Sequence, residues 1–240
     1  MRFERTTLGQ LSIGGKGNYG IAASAVPYSE NLLTYLRITD ISDQGTLKKD
    51  SLMSVADANA EKYLLKPNDI VFARTGNSTG RNYFYDGSDG NFVYAGFLIR
   101  FSLDRKKVNP RYIKYYCQSA QYWDWVQSFN TGSTRGNINA QTYANMEILL
   151  PAREQQDFLV RVLSPIDEKI RLNQKINENL NPTKLSAVRS FYRMLLNPRK
   201  RLKTLGFKQV NHSFPLIRSH PLLRASRELA REKSRKDIGF

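Results

Sequence analysis

The chain has 240 residues and a formal net charge of +16, from 37 Lys and Arg against 21 Asp and Glu. Its single cysteine, Cys117, excludes an internal disulfide and any multi-cysteine zinc site, and we expect it to be a small core residue. Both histidines, His212 and His220, lie in the last 60 residues, so residues 1–180 have no imidazole for general-base or metal chemistry at neutral pH.

The charge is concentrated in the last 60 residues. Residues 181–240 hold 15 Lys and Arg against 3 acids, which is +12, whereas residues 1–180 hold 22 against 18, which is +4. Only the tail therefore has the composition typical of a general nucleic-acid-binding segment. The start has no apolar signal region, and the longest apolar run is far shorter than the roughly 20 residues that span a bilayer, so we expect a cytoplasmic protein.

The first motif is GGKGNYG at residues 14–20, which matches the spacing of a dinucleotide-binding loop. Such a loop must open a crossover helix, but Pro27 follows too soon for one to form. A surface loop is favoured instead, in which Lys16, Asn18 and Tyr19 could contact phosphates or bases.

Residues 33–41 alternate in polarity and predict a half-buried strand, residues 58–65 a short helix, and residues 70–73 a buried strand. The loop that follows, RTGNSTGR at residues 74–81, combines glycines with hydroxyl, amide and guanidinium groups, a chemistry that suits phosphate or base-edge contact. The alternative is an internally hydrogen-bonded turn with Arg74 paired to a carboxylate. The candidate residues in this loop are Arg74, Thr75, Asn77, Ser78 and Arg81.

Turn residues between Tyr83 and Phe92 predict a hairpin, and VYAGFLIRF at residues 93–101 predicts a central strand with Phe97 on its apolar face. Asn109 and Pro110 are typical of a helix N-cap and first turn, which we prefer to a methyltransferase-like NPRY motif. Residues 130–139 form a second polar loop, and two such loops on one sheet predict a recognition edge. Its candidates are Thr134, Arg135, Asn137 and Asn139.

Residues 151–180 predict a helix with an apolar seam. The seam favours a partner helix, and the alternative is packing on the chain's own domain. Pro165 interrupts the pattern, and the sequence slightly favours a helix ending near Leu163 and a second one capped by Ser164 over a kinked continuous helix. The seam residues are Leu159, Val162, Leu163, Ile166, Ile170, Asn173, Ile176 and Leu180.

The order of these segments closely resembles the specificity subunits of type I restriction-modification enzymes over residues 6–180. The resemblance rests on LGQL, YLRITDISDQG, LLKPNDIVFARTGNSTGR, YAGFLIR, GSTRGNINAQTY and ILLPAREQQ, followed by LSPIDEKIRLNQKINENL. It implies an α+β fold: a mixed, largely antiparallel twisted sheet with flanking helices forms a target-recognition domain over residues 1–150. A helical spacer able to pair as a coiled coil follows over residues 151–180.

The resemblance also implies a function without a catalytic centre. The chain would bind half of a split double-stranded DNA target, self-associate through the spacer, and dock DNA adenine methyltransferase subunits and a restriction subunit. S-adenosylmethionine, and ATP with magnesium for restriction, would then be bound by those partners, and this chain would hold no metal. An autonomous nuclease or methyltransferase would need clustered carboxylates or a cofactor loop, which the sequence lacks.

The tail, residues 181–240, departs from the family pattern: it contains four of the nine prolines and no sustained heptad. The composition break favours a shifted reading frame over a basic arm or a small module. The competing functional hypothesis is a non-specific basic nucleic-acid-binding protein that acts through this tail.

Overall fold

A computed structural model describes residues 3–129 and 136–179, with side chains through residue 177. Three predicted site residues, Thr134, Arg135 and Leu180, and the whole tail at 181–240 lie outside the described residues. By its internal contacts the chain divides into Met1–Arg171 and Leu172–Phe240. Of the second unit, residues 172–179 are described, as the last turns of a helix.

The first sheet is antiparallel and has the order β2-β9-β6-β7. It consists of β2 (Asn18–Tyr19), β9 (Leu98–Ser102), β6 (Asp69–Ala73) and β7 (Asn82–Tyr85). All five residues of β6 are buried, because both faces of this strand are covered. Ile70 and Phe72 pack into a core with the helices, and Val71 and Ala73 pack against a second sheet.

The second sheet has the order β3-β5-β4-β8. It consists of β3 (Ala25–Val26), β5 (Met53–Val55), β4 (Leu33–Leu36) and β8 (Phe92–Tyr94). The pairing of β4 with β8 is parallel, and the other pairings are antiparallel. Leu36, Phe92 and Tyr94 share a buried cluster with Leu98 of the first sheet, so one apolar layer lies between the two sheets.

A two-stranded ribbon and three short helices cover the other face of the first sheet. The ribbon pairs β1 (Phe3–Thr7) with β10 (Glu147–Pro151). The helices are α1 (Pro110–Tyr116), α2 (Ala120–Gln127) and α3 (Ala140–Ala144). The predicted cap of α1 is confirmed, since the Asn109 side chain accepts a hydrogen bond from the Arg111 backbone at 3.0 Å. Cys117 is a buried core residue, as the sequence predicted.

The α+β class, with largely antiparallel strands and flanking helices, is confirmed, but the described strands form three sheets rather than one. The predicted hairpin is wrong, because β7 pairs with β6 and β8 pairs in parallel with β4. The predicted strand at 93–101 is split between both sheets by a turn at Gly96 and Phe97, and the strand predicted at 33–41 ends at Leu36. Periodicity within a segment does not reveal which strand it pairs with, and the pairing decided these cases.

The long helix α4 (Arg153–Asn179) is continuous through Pro165, so the favoured break near Leu163 is wrong. Hydrogen bonds to α1 hold the helix at this point. The Tyr115 hydroxyl lies 3.3 Å from the Ser164 hydroxyl and donates to the Asp167 carboxylate at 2.9 Å, and Lys114 pairs with the same carboxylate at 2.6 Å. Ser164 and Asp167 therefore bind α1 on both sides of the proline, which offsets its missing backbone hydrogen bond. None of the described helices is long and apolar enough to cross a membrane.

Candidate nucleic-acid interface

The structure brings the first predicted polar loop together with residues 136–139 of the second at one end of the first sheet. Thr75 of the first loop forms an antiparallel bridge with Asn137 of the second. The Ile138 backbone donates to the Arg74 carbonyl at 2.9 Å, and the Thr79 hydroxyl donates to the Gly136 carbonyl at 2.8 Å. We call residues 74–81, residues 136–139 and Tyr19 the two-loop surface.

Two buried tyrosines hold the ends of the first loop from below. The Tyr143 hydroxyl donates to the Ala73 carbonyl at 3.0 Å, and the Tyr122 hydroxyl donates to the Gly80 carbonyl. Burial raises the pKa of both phenols well above their ordinary value, so both hydroxyls stay protonated and can donate. The loop therefore projects from a rigid base.

Gly80 shows how closely the loop and α2 approach each other. Its φ is +88°, and a Cβ there would lie 2.5 Å from a methyl carbon of Val126. Both the backbone conformation and the available space thus require glycine. Gly76 has φ +72° with open space around it, so there only the backbone angle favours glycine.

Arg74 is the most available cation of this surface. Its backbone N–H donates to the Phe97 carbonyl at 3.1 Å, and its guanidinium carbon lies 5.1 Å from the centre of the Tyr19 ring. Within the described residues, its buried Nε has no hydrogen-bond partner and its side chain forms no ion pair. The Tyr19 hydroxyl accepts from the Ala140 backbone at 3.1 Å, which fixes the ring beside the arginine. The alternative of an internally paired Arg74 is therefore not what the described residues show.

Arg81 and Ser78, by contrast, are used within the protein. The Arg81 Nε donates to the Asp43 carboxylate at 2.6 Å, and its terminal nitrogen lies 3.3 Å from the Ser78 hydroxyl. Ser78 itself is buried. The turn interpretation thus describes residues 78–81, whereas Asn77, directly before Ser78, is exposed.

The other predicted residues also include both exposed side chains and a side chain bonded within the protein. Asn137 is exposed, but the side-chain oxygen of Asn139 caps α3 by accepting from the Thr142 backbone at 2.8 Å. Lys16 and Asn18 are exposed beside the first sheet, where Asn18 pairs with Arg100. Gly17 packs there so closely that a Cβ would lie 2.6 Å from carbons of Ile99 and Phe101. Gly20 packs in the same way against the backbone of Tyr94 and Ala95, whereas Gly14 and Gly15 have open space and positive φ, consistent with the surface-loop interpretation.

One exposed residue of this region was not predicted. The sequence placed Phe97 on the buried face of a strand, but its side chain is 57% exposed. The Phe97 carbonyl accepts the hydrogen bond from the Arg74 backbone. A glycine before an aromatic residue inside an apolar run was the available signal of a turn. Within residues 3–129 and 136–179, no three His, Cys, Asp or Glu side chains are grouped so that they could hold a metal ion.

A second exposed surface lies on α4. Four exposed residues of the predicted seam in the first unit, Leu159, Val162, Ile166 and Ile170, form what we call the α4 apolar face. The seam residue Leu163 is half-buried, and Asn173 is exposed. The exposed seam members are Leu159 (40%), Val162 (48%), Ile166 (52%), Ile170 (49%) and Ile176 (53%).

The helix is attached to the body of the first unit by a different side. Gln156 is 2% exposed and accepts from the Asn109 backbone at 2.9 Å, and Ser164 and Asp167 bind α1 as described above. At about 100° per residue Gln156 and Asp167 lie to one side of the α4 apolar face, and Ser164 lies opposite it. The exposed members of the apolar seam are therefore not what packs the helix against its own domain.

The family comparison decides what kind of protein carries these two surfaces. A family model described as "Type I restriction modification DNA specificity domain" matches residues 21–182, more than half of the chain. The chain belongs to this family.

Two curated relatives are specificity subunits of type I restriction enzymes. The chain is 22% identical over 134 residues to the specificity subunit of the type I restriction enzyme HindI from Haemophilus influenzae, and 25% identical over 136 residues to that of StySPI from Salmonella potsdam. Each match covers 55% of this chain and 29% of the relative. The matched segment is thus less than a third of either relative.

Among solved structures, the chain is similar to the S subunit of a type I restriction-modification system from M. genitalium. The TM-score is 0.53 at 18% identity, and the match covers 71% of this chain and 40% of that one. At this identity the likeness shows that the specificity-domain fold is shared.

Proposed function

We propose that this specificity-family chain is a sequence-specific DNA recognition element that reads one half of a bipartite target. It would dock DNA adenine methyltransferase subunits, and a restriction subunit, without a catalytic centre of its own. The observation that carries the proposal is the joining of two polar loops around Arg74, a guanidinium without an ion pair among the described residues.

The chemistry of the two-loop surface suits double-stranded DNA. A guanidinium can bind the O6 and N7 atoms of guanine or a phosphate, and the exposed amides of Asn77 and Asn137 can bind the edge of adenine. Lys16 would neutralise a backbone phosphate beside them. Thr134 and Arg135, which belong to the second loop, remain predicted contacts of the same kind. Arg81, Ser78 and Asn139 would support the surface rather than touch the bases, because their side chains are already bonded within the protein.

The α4 apolar face would provide the assembly surface. We propose residues 1–150 as the recognition domain and residues 151–180 as the spacer that pairs with a second helix, from another copy or another half subunit. The 27 residues of α4 span about 40 Å at 1.5 Å per residue, which compares with roughly 34–36 Å between DNA half-sites one helical turn apart. S-adenosylmethionine would be bound by the docked methyltransferase, with ATP and magnesium on the restriction subunit.

The test is a methylome of cells that express this chain with its modification subunit. The proposal expects adenine methylation at one interrupted sequence, and an inverted repeat if two copies of the chain pair through α4. An asymmetric bipartite site would show that a different half subunit supplies the second half. Methylation without any sequence preference would contradict the proposal.

A second experiment separates the proposal from a general basic binder. Competition between target and unrelated DNA is measured for the full chain and for a variant lacking residues 181–240, each assembled with the modification subunit. If the variant without the tail loses all DNA binding, the non-specific alternative is favoured. Under our proposal the preference for the target persists.

A further inference from the structure

Phe97 occupies an unusual place for a large apolar side chain. It is the third residue of a tight turn closed by a 2.8 Å hydrogen bond from the Leu98 backbone to the Ala95 carbonyl, and its side chain is 57% exposed. Turns favour small and polar residues at their central positions. Single exposed apolar residues are common on proteins, so the location of Phe97 has to carry the argument.

That location is the margin of the two-loop surface. The Phe97 carbonyl accepts from the Arg74 backbone at 3.1 Å, and the next residue, Leu98, pairs with Ala73 at the base of the first loop. On the other side, the Gly20 backbone donates to the Leu98 carbonyl at 3.1 Å, directly after Tyr19. Phe97 therefore emerges between the first loop and β2.

The neighbours of Phe97 supply hydrogen-bonding groups, whereas Phe97 supplies a large apolar contact group. Arginine and asparagine side chains suit bidentate contacts in the major groove, where every base pair shows a distinct pattern. In that groove thymine is distinguished by its 5-methyl group, which apolar groups such as a phenyl ring contact favourably. Insertion of a phenyl wedge between base steps is the other use of an exposed phenylalanine, but that mode acts from the minor groove, where fewer base differences are readable.

We propose that Phe97 is a specificity-determining residue that contacts the 5-methyl group of one thymine in the target half-site. This inference rests on the proposed DNA-recognition function and adds an apolar contact to it. The contact would lie next to the base or phosphate bound by Arg74, because the two residues are joined through their backbones.

The experiment uses the full chain assembled with its modification subunit and a duplex bearing the target from the methylome. Each thymine of the half-site is replaced in turn by deoxyuridine, which removes only the methyl group, and equilibrium binding is measured. The wild type is expected to lose affinity roughly fourfold at one position, the factor that burying one methyl-sized group supplies. Phe97→Ala should bind the thymine duplex at least that much more weakly and lose nothing further at that position.

Two further variants serve as controls. Phe97→Leu retains an apolar contact and should keep part of the methyl sensitivity. Tyr28→Ala removes an equally exposed ring, also 57%, from the connection between β3 and β4 and should bind like the wild type. Thermal unfolding of each variant verifies that the fold is retained.

The proposal is overturned if no thymine position is methyl-sensitive, or if Phe97→Ala keeps the wild-type sensitivity. Equal weakening of Phe97→Ala on thymine and deoxyuridine duplexes would indicate stacking or insertion and overturn it as well. A wild-type complex without any sequence preference would instead refute the proposed function on which the inference rests, so the two failures are distinguishable.

Discussion

The two-loop surface displays mainly polar side chains, whereas the α4 apolar face displays apolar ones. On the two-loop surface, polar side chains stand on a backbone fixed by hydrogen bonds to carbonyls of Ala73, Arg74, Gly80 and Gly136. On α4, polar side chains bind the helix to the body, and the residues of the α4 apolar face are exposed. Hydrogen bonds thus support both surfaces, but the groups displayed differ: base reading would require fixed donors and acceptors, whereas helix association would require apolar area.

The largest expected effect comes from placing a charge on the α4 apolar face. Ile166→Asp should abolish self-association or reduce it about 100-fold or more, because an unpaired carboxylate would be buried in the helix pair. Thermal stability of the separate chain should change little, since Ile166 is 52% exposed. Sedimentation analysis and capture by the modification subunit measure the two assembly steps.

Lys175→Asp is the matched control for that variant. It places a carboxylate on the polar side of the same helix and should leave assembly intact. Unchanged assembly of Ile166→Asp would show that the α4 apolar face is not a docking surface and remove one side of the comparison.

An intermediate effect is expected for the arginines of the first loop. Arg74→Ala should weaken target binding by about 1–3 kcal/mol, as expected for the loss of a base or phosphate contact. Arg81→Ala should cost less affinity, because that guanidinium is paired with Asp43, whose side chain is 69% exposed. Equilibrium binding to target and unrelated DNA tests both variants. A larger loss for Arg81→Ala than for Arg74→Ala would reverse the assignment of contacting and supporting residues.

The smallest effect concerns the base of the loop. Tyr143→Phe removes the hydroxyl that donates to the Ala73 carbonyl, which also accepts from the Gly80 backbone at 3.0 Å. Because one partner remains, the free energy of unfolding should fall by only about 1 kcal/mol. Tyr112→Phe is the control, since the Tyr112 hydroxyl forms no hydrogen bond within the described part of the chain. Equal free energies of unfolding for Tyr143→Phe and Tyr112→Phe in urea would mean that Tyr143 does not hold the loop.

Local chemistry was readable from the sequence where it depends on neighbouring residues. The Asn109 cap, the buried strand at β6, the burial of Cys117 and the amphipathic character of α4 follow from side-chain type and spacing alone. The family resemblance followed from the order of such segments, and the family comparison confirms it. In the candidate site, the sequence identified both polar loops but not which of their side chains are engaged internally.

Only the tertiary structure decided how distant segments meet. It paired Thr75 with Asn137, placed Arg74 beside Tyr19 and engaged Arg81 with Asp43, three contacts between residues far apart in the chain. In the tertiary structure the apolar run at 93–101 is divided by a turn, so that Phe97 is exposed. The helix α4 continues through Pro165, where hydrogen bonds from α1 hold it. Pairing partners and long-range hydrogen bonds are properties of the whole fold, because their free energy depends on residues that no local window contains.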